Sequence, residues 1–178
     1  TPRDIYDFVV GNLAYNYDRQ PQQITRRGAQ ETLLNPEDAL CMEFADVFVA
    51  LSRVNGIAAR MVQGHAYTTN SRLQPLSLQT DVLHAWAQYY DEAKKLWVDV
   101  DPTWGKTTGG IDYFSRMDFD DIAFAILGTD SSAPVPAGSF RKKDRNKDIA
   151  ITCLQEPFIL RQPEIEVTFG ALKDTSDG

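Results

Sequence analysis

Asn35 to Arg60 reads N-P-E-D-A-L-C-M-E-F-A-D-V-F-V-A-L-S-R-V-N-G-I-A-A-R, and this stretch organises the rest of the chain. Asn35-Pro36 is a helix opening, with Glu37 and Asp38 supplying negative charge to the first turn. Leu40, Phe44, Val47, Phe48 and Leu51 recur at helical spacing and make one apolar stripe. Asn55-Gly56 is the stop. Cys41 stands beside the stripe, near the beginning of the expected helix. A thiol there feels the positive end of the helix dipole, which favours the thiolate. Against that stands the ordinary behaviour of an unpaired Cys near an apolar helix face, which is to be a small buried hydrophobe.

Two downstream segments tip the balance toward reactivity. His84 opens H-A-W-A-Q-Y-Y, and Asp101 stands in L-W-V-D-V-D-P-T-W. Both read as strands of a hairpin, joined by the polar Asp91-Glu92-Ala93-Lys94. If those four residues are the loop, Tyr90 faces Lys95, and counting outward sets His84 opposite Asp101. Directly opposed residues point to the same side with Cβ atoms about 5 Å apart, which suits a carboxylate gripping an imidazole. A slip of one residue would destroy the pair. Asp99 shares the parity of Asp101 but would face Trp86. Cys41, His84 and Asp101 are thus candidates for nucleophile, base and orienting acid. His65, in G-H-A-Y, is the competing base, with packing at a strand edge as its plainer role.

With C-M-E-F-A, G-I-A-A-R, H-A-W and W-V-D-V-D-P-T-W in this order, the chain resembles the transglutaminase-like superfamily, whose core is similar to papain-type cysteine proteases. The resemblance covers residues 5–127. It implies an α+β fold: a papain/transglutaminase-like core in which a central helix bearing the Cys packs against an antiparallel sheet carrying His and Asp. It also places the triad acid at the D-P-T position, which is Asp101 here. The family usually carries Gly two residues before the Cys, and this chain has Ala39.

The chain has 178 residues, enough for one domain with a sizeable core. We expect residues 1–155 to form the catalytic core. Residues 156–178 are expected to form a C-terminal strand and tail, or the start of a further β-domain. The net charge of −7 argues against nucleic acid, which asks for a basic footprint. No apolar run is long enough to cross a bilayer. The sequence opens on Thr1 rather than Met, so we read it as a piece of a longer protein, and missing targeting segments say nothing about location. Two distant cysteines make no disulfide framework, and no CxxC or HExxH spacing offers a zinc site. No cofactor is expected.

Thr1-Pro2-Arg3-Asp4 reads as a helix start, and Ile5, Phe8, Val9 and Leu13 as its core face. Residues 15–27 are polar and irregular, with a solvated loop as the plainer reading and a cleft lip as the functional one. Residues 28–34 are expected to form a short helix with Leu33 and Leu34 turned inward, and residues 58–67 a strand. Residues 68–81 are a candidate groove rim. Trp97 is expected in the core, whereas Trp86 and Trp104 are left between core and cleft wall. Residues 105–110 read as a flexible turn. Asp112, Asp118, Asp120 and Asp121 lack EF-hand spacing and read as capping residues or a solvated acidic loop. Residues 149–154, with Cys153 facing inward, and 165–169 alternate like strands.

The chemistry implied is thiol-dependent acyl transfer on peptide or glutamine amide bonds of a protein or peptide substrate. Peptidase-type hydrolysis is the first reading. Protein-glutamine cross-linking to an amine is the alternative, and a non-catalytic binding module on the same fold is the third. Peptide deglycosylation is disfavoured because the zinc-binding cysteine pairs of such relatives are missing. The Cys41 N–H at the helix start is the natural oxyanion donor, with Gln23 and Gln30 as upstream side-chain candidates. Activity is expected to survive EDTA. Loss of activity that calcium restores would revive the acidic segment 112–121 as a site.

Overall fold

The start of the chain folds as its punctuation predicts. The first helix, α1 (Pro2–Asn12), is capped by Thr1, whose hydroxyl accepts from the Asp4 N–H at 3.3 Å while Pro2 fills the first turn. The computed structural model describes residues 1–19, 26–66, 84–117 and 121–127. The remaining elements are α2 (Gly28–Leu34), α3 (Cys41–Val54), β1 (Ala59–Ala66), β2 (His84–Asp91), β3 (Leu96–Val100), α4 (Pro102–Thr107) and β4 (Asp121–Leu127). The four strands make one antiparallel sheet in the order β3-β2-β1-β4. Helix α3 packs against β1 and β2 on one side and meets α1, α2 and α4 on the others. The architecture is α+β, with the cysteine-bearing helix at its centre.

That central position explains why α3 is buried all round from Cys41 to Val49 rather than along one stripe. The expected helix start needs correction. Residues 35–38 form a turn, and Ala39 pairs with Tyr15 in an isolated parallel bridge. The Ala39 carbonyl accepts from Asn16 at 2.9 Å and its N–H donates to Ala14 at 3.2 Å, so the chain here is committed to a strand-like contact and cannot yet turn helical. The helix begins at Cys41 itself. It ends as predicted at Asn55, with Gly56 in the left-handed conformation (φ +75°) that a side chain would resist.

Other expectations shift by similar margins. Phe8 is 43% exposed, and Tyr6 takes its place in the core, because the buried row of α1 runs through Ile5, Tyr6 and Val9. Thr32 is the buried residue of α2, while Leu33 and Leu34 point outward. Residues 105–107, expected to begin a flexible turn over 105–110, belong instead to α4 (Pro102–Thr107), capped by the Asp101 carboxylate. Strand β4 was not expected, although Ile122, Phe124 and Ile126 alternate at strand period. It joins β1 across a bulge at Gln63/Gly64, where a Cβ on Gly64 would sit 1.9 Å from the Ile122 carbonyl oxygen. The groove rim at 68–81, Cys153, the strands at 149–154 and 165–169 and the boundary at 155 lie outside the described residues. Among the described residues, no helix is long and apolar enough to cross a membrane.

The hairpin register differs from the expected one by two residues. Tyr90 pairs with Trp97, and Asp91 with Leu96, so the loop is residues 92–95, with Lys95 at positive φ (57°) closing it. A shift of two preserves which face every side chain occupies, because strand side chains alternate with period two. His84 and Asp101 therefore stay on one side but are not directly opposed. Strand β3 ends at Val100, and Asp101 leaves the ladder to cap α4.

Helix α4 is held against α1 through Gly105. A Cβ there would lie 2.1 Å from the Tyr6 hydroxyl and 3.2 Å from Val10 Cγ2. Gly105→Ala is expected to destabilise the fold by about 1–3 kcal/mol through overpacking. Adding Tyr6→Phe should recover part of that loss. Urea unfolding of the three variants checks this; a neutral Gly105→Ala would refute the close packing.

Candidate active site

Cys41 is the first residue of α3. Its N-cap, Leu40, is extended (φ −113°) and has no polar side chain to cover the helix end. The Glu43 carboxylate instead reaches back to accept from the Leu40 N–H at 2.9 Å. Phe44 donates to the Leu40 carbonyl, so the N–H groups of Cys41, Met42 and Glu43 are the first-turn donors that a helix cannot satisfy itself. Glu43 is fully buried, and its charge is met by Arg19 at 3.2 Å and, more distantly, Arg27 at 3.9 Å. Burial raises the Glu43 carboxyl above its ordinary range, outweighing the pull of Arg19 in the other direction.

His84 is the first residue of β2 and is buried. Its Nε2 lies 2.7 Å from Asp101 Oδ2. The other carboxylate oxygen, Oδ1, accepts from the backbone N–H of Trp104 at 3.0 Å. One carboxylate thus caps α4 and orients the imidazole, so neither oxygen is free to rotate away. The Cys41 side chain acts on the same imidazole and favours its charged form, and since Nε2 is committed to Asp101, Nδ1 is the nitrogen left for proton exchange with the thiol. Burial alone would push the His84 pKa down. The Asp101 charge, its hydrogen bond and the Cys41 side chain outweigh burial and hold it well above the ordinary 6.5. The structure therefore brings Cys41, His84 and Asp101 together in a buried cluster.

The tryptophans divide differently from expectation. Trp97, expected in the core, is half-buried, with the Arg60 guanidinium 3.9 Å above its ring. Trp86 and Trp104 are buried and flank His84, with ring centroids at 6.1 Å and 5.6 Å. Asp99 shares the face of His84 but bonds elsewhere, accepting from Trp86 Nε1 at 2.8 Å and Gln88 Nε2 at 2.7 Å. His65 lies on β1 opposite Ile122 of β4 and next to Gly64, the partner of His84, so strand alternation puts its side chain on the other face of the sheet. Asp112 binds Arg3 at 2.7 Å. Gln30 is exposed on α2, and Gln23 lies outside the described residues.

Sequence reasoning missed the arginines. The described part of the 15–27 stretch is not merely solvated: Arg19 pairs with Glu43, Arg26 with Asp46, and Arg27 with Asp38 and its carbonyl. The signal was present, because a helix buried all round yet carrying Glu43 and Asp46 must find counter-charges elsewhere.

A thiol at a helix start, against a histidine on an antiparallel sheet and an aspartate just beyond the end of the neighbouring strand, is the layout of a thiol-enzyme core. The sequence model of the transglutaminase-like superfamily matches residues 1–102. The chain belongs to that superfamily, a superfamily of thiol enzymes. Uncharacterized proteins of Mycobacterium tuberculosis and Mycobacterium bovis are 33% identical to it over 104 residues, covering 57% of this chain and 32% of theirs. The chain thus spans about a third of the length of these relatives. A solved structure from Cytophaga hutchinsonii, described as a candidate cysteine protease, superposes with a TM-score of 0.48 at 20% identity, covering 70% of this chain and 35% of that one.

The raised His84 pKa sets a sign for stability against pH. The folded protein holds the His84 proton above 6.5, whereas the unfolded chain releases it near that value. Stability from the charged His84–Asp101 pair is therefore full below the unfolded value and lost as pH rises through the folded one. The slope cannot exceed about 1.4 kcal/mol per pH unit, since one proton is at stake. Urea unfolding from about pH 6 upward should show this decline, and Asp101→Asn should flatten it. Equal slopes in both proteins would contradict the assignment.

Proposed function

We propose that the protein is a thiol-dependent acyl-transfer enzyme acting on peptide or glutamine amide bonds, with Cys41 as nucleophile, His84 as base and Asp101 as the orienting acid. The observation that carries this reading is the buried His84 Nε2–Asp101 Oδ2 bond of 2.7 Å, with the Cys41 side chain on the same imidazole. The Cys41 proton passes to the imidazole nitrogen facing it, and the sulfur attacks the amide carbonyl. The carbonyl oxygen becomes an oxyanion beside the first-turn N–H groups of α3, whose end carries no polar cap. Collapse breaks the C–N bond; the imidazolium gives its proton to the departing amine, leaving a thioester on Cys41. A second nucleophile, deprotonated by His84, then cleaves the thioester and returns the thiol. Asp101 stabilises the imidazolium in both halves and prevents the ring from turning.

Water as second nucleophile makes the protein a peptidase-type hydrolase, the reading we place first, because no dedicated acceptor is needed. One observation favours amine transfer instead. Cys41 is only 5% exposed and the imidazole is flanked by two buried tryptophans, which makes for a dry site. The substrate in either case is a protein or peptide.

Iodoacetamide should label Cys41 ahead of Cys153, and His84→Ala should slow that labelling by about 100-fold or more, the usual contribution of a general base. Faster labelling of Cys153 would overturn the nucleophile. Casein incubated with a labelled primary amine then separates the outcomes by mass spectrometry. New peptide termini support hydrolysis, and incorporated amine without cleavage supports transfer. Neither product, with Cys41 inert, would leave a binding module.

A further inference from the structure

We infer that Asp99 is a positioning residue for His84, acting through Trp86. The inference rests on the reading of His84 as base given above. Asp99 stands on β3 opposite Gln88 of β2. Its Oδ1 accepts from Trp86 Nε1 at 2.8 Å and from Gln88 Nε2 at 2.7 Å. Gln88 Oε1 in turn accepts from Arg60 Nε at 2.7 Å, and the Arg60 guanidinium lies over Trp97. A polar chain thus runs across three strands and ends on the indole of Trp86.

The indole has one polar atom, a donor only, and a buried one needs an acceptor. Asp99 supplies it. That bond favours the rotation of the indole that presents its N–H to Asp99. In that rotation its ring lies at 21° to the His84 imidazole, with centroids 6.1 Å apart. Trp104 also stands against the imidazole, with ring centroids 5.6 Å apart, and its backbone N–H holds Asp101. The base is therefore located by a hydrogen bond at Nε2, by the Cys41 side chain and by two indoles, and Asp99 holds one of those indoles. Were Trp86 to turn, the imidazole would gain freedom on that side. A displacement of the base by an ångström is costly to proton transfer.

Four variants test the inference: Asp99→Asn, which keeps a carbonyl acceptor; Asp99→Leu, which keeps the shape and removes it; Trp86→Phe, which removes the donor; and Asp99→Leu with Trp86→Phe. Two readouts need no substrate: the rate of Cys41 alkylation, and the downfield proton NMR resonance of the His84 Nε2–H held by Asp101. Asp99→Leu is expected to slow alkylation about tenfold and to move or broaden the resonance, the scale expected of a small displacement of the base. Asp99→Asn should stay within about twofold of the parent, and the double variant within about twofold of Trp86→Phe alone, because coupled sites are not additive. Normal alkylation and an unmoved resonance in Asp99→Leu, even with lowered stability, would overturn the inference and leave Asp99 as a sheet-stabilising residue. A full additional loss in the Trp86→Phe background would overturn it too, since the effect would then not pass through the indole. Because neither readout uses an amide substrate, failure of the acyl-transfer reading in the casein assay is distinguishable from failure here.

Discussion

The Asp101 carboxylate is the point on which the site depends. One oxygen holds His84 and the other caps α4 through Trp104. Its backbone N–H is also tied, to the Tyr113 carbonyl at 3.2 Å. Strand β3, helix α4 and the segment at Tyr113 therefore meet at one residue, and the imidazole is aimed from that junction. A charge in this position is costly to bury and persists only where its hydrogen bonds are made. Here the donors are a ring nitrogen and a helix N-terminus, and both point at it because the chain turns from strand to helix at that residue. The packing of Gly105 on Tyr6 is part of the same arrangement, since it fixes where α4 runs and so where its cap must stand.

A second layer of buried charge secures the nucleophile. Glu43 and Asp46 lie on the most enclosed helix among the described residues, and arginines from the segment before it neutralise them. Removing one partner of such a pair typically costs about 3–5 kcal/mol, because the other charge is left stranded. The Tyr15–Ala39 bridge joins the same two segments by their backbones. The chain before α3 is thus bound to the turn that precedes Cys41 at both levels. That binding is what moves the helix start from the Asn35-Pro36 signal to Cys41 and leaves its first-turn N–H groups beside the thiol.

The register of the β2–β3 hairpin shows how a local inference can fail while its consequence survives. Placing the loop one residue early at each end misaligned the strands by two, which leaves every side chain on its own face. Asp101 then reached His84 by leaving the ladder rather than by standing opposite it. Asp99, which remained in the ladder, was drawn to Gln88 and Trp86. Parity was legible in the sequence; the partner of each residue depended on a loop closed by Lys95 at positive φ, which no turn residue announced.

By itself the sequence determined the helix carrying Cys41, the strand carrying His84, the strand that leads to Asp101, and the helix signals at Thr1 and Asn55-Gly56. These follow from period and punctuation, which are properties of neighbouring residues, and the α+β class follows from the resemblance that their order carries. Only the tertiary structure decided which residues are enclosed. Phe8 was displaced by Tyr6, Leu33 and Leu34 by Thr32, and Trp97 by Trp86 and Trp104, because burial depends on what packs against an element and not on its own pattern. The same holds for Arg19, Arg26 and Arg27. In the sequence they are a polar stretch with no period. Their counter-charges lie on α3 and in the turn before it, and only folding brings the two together.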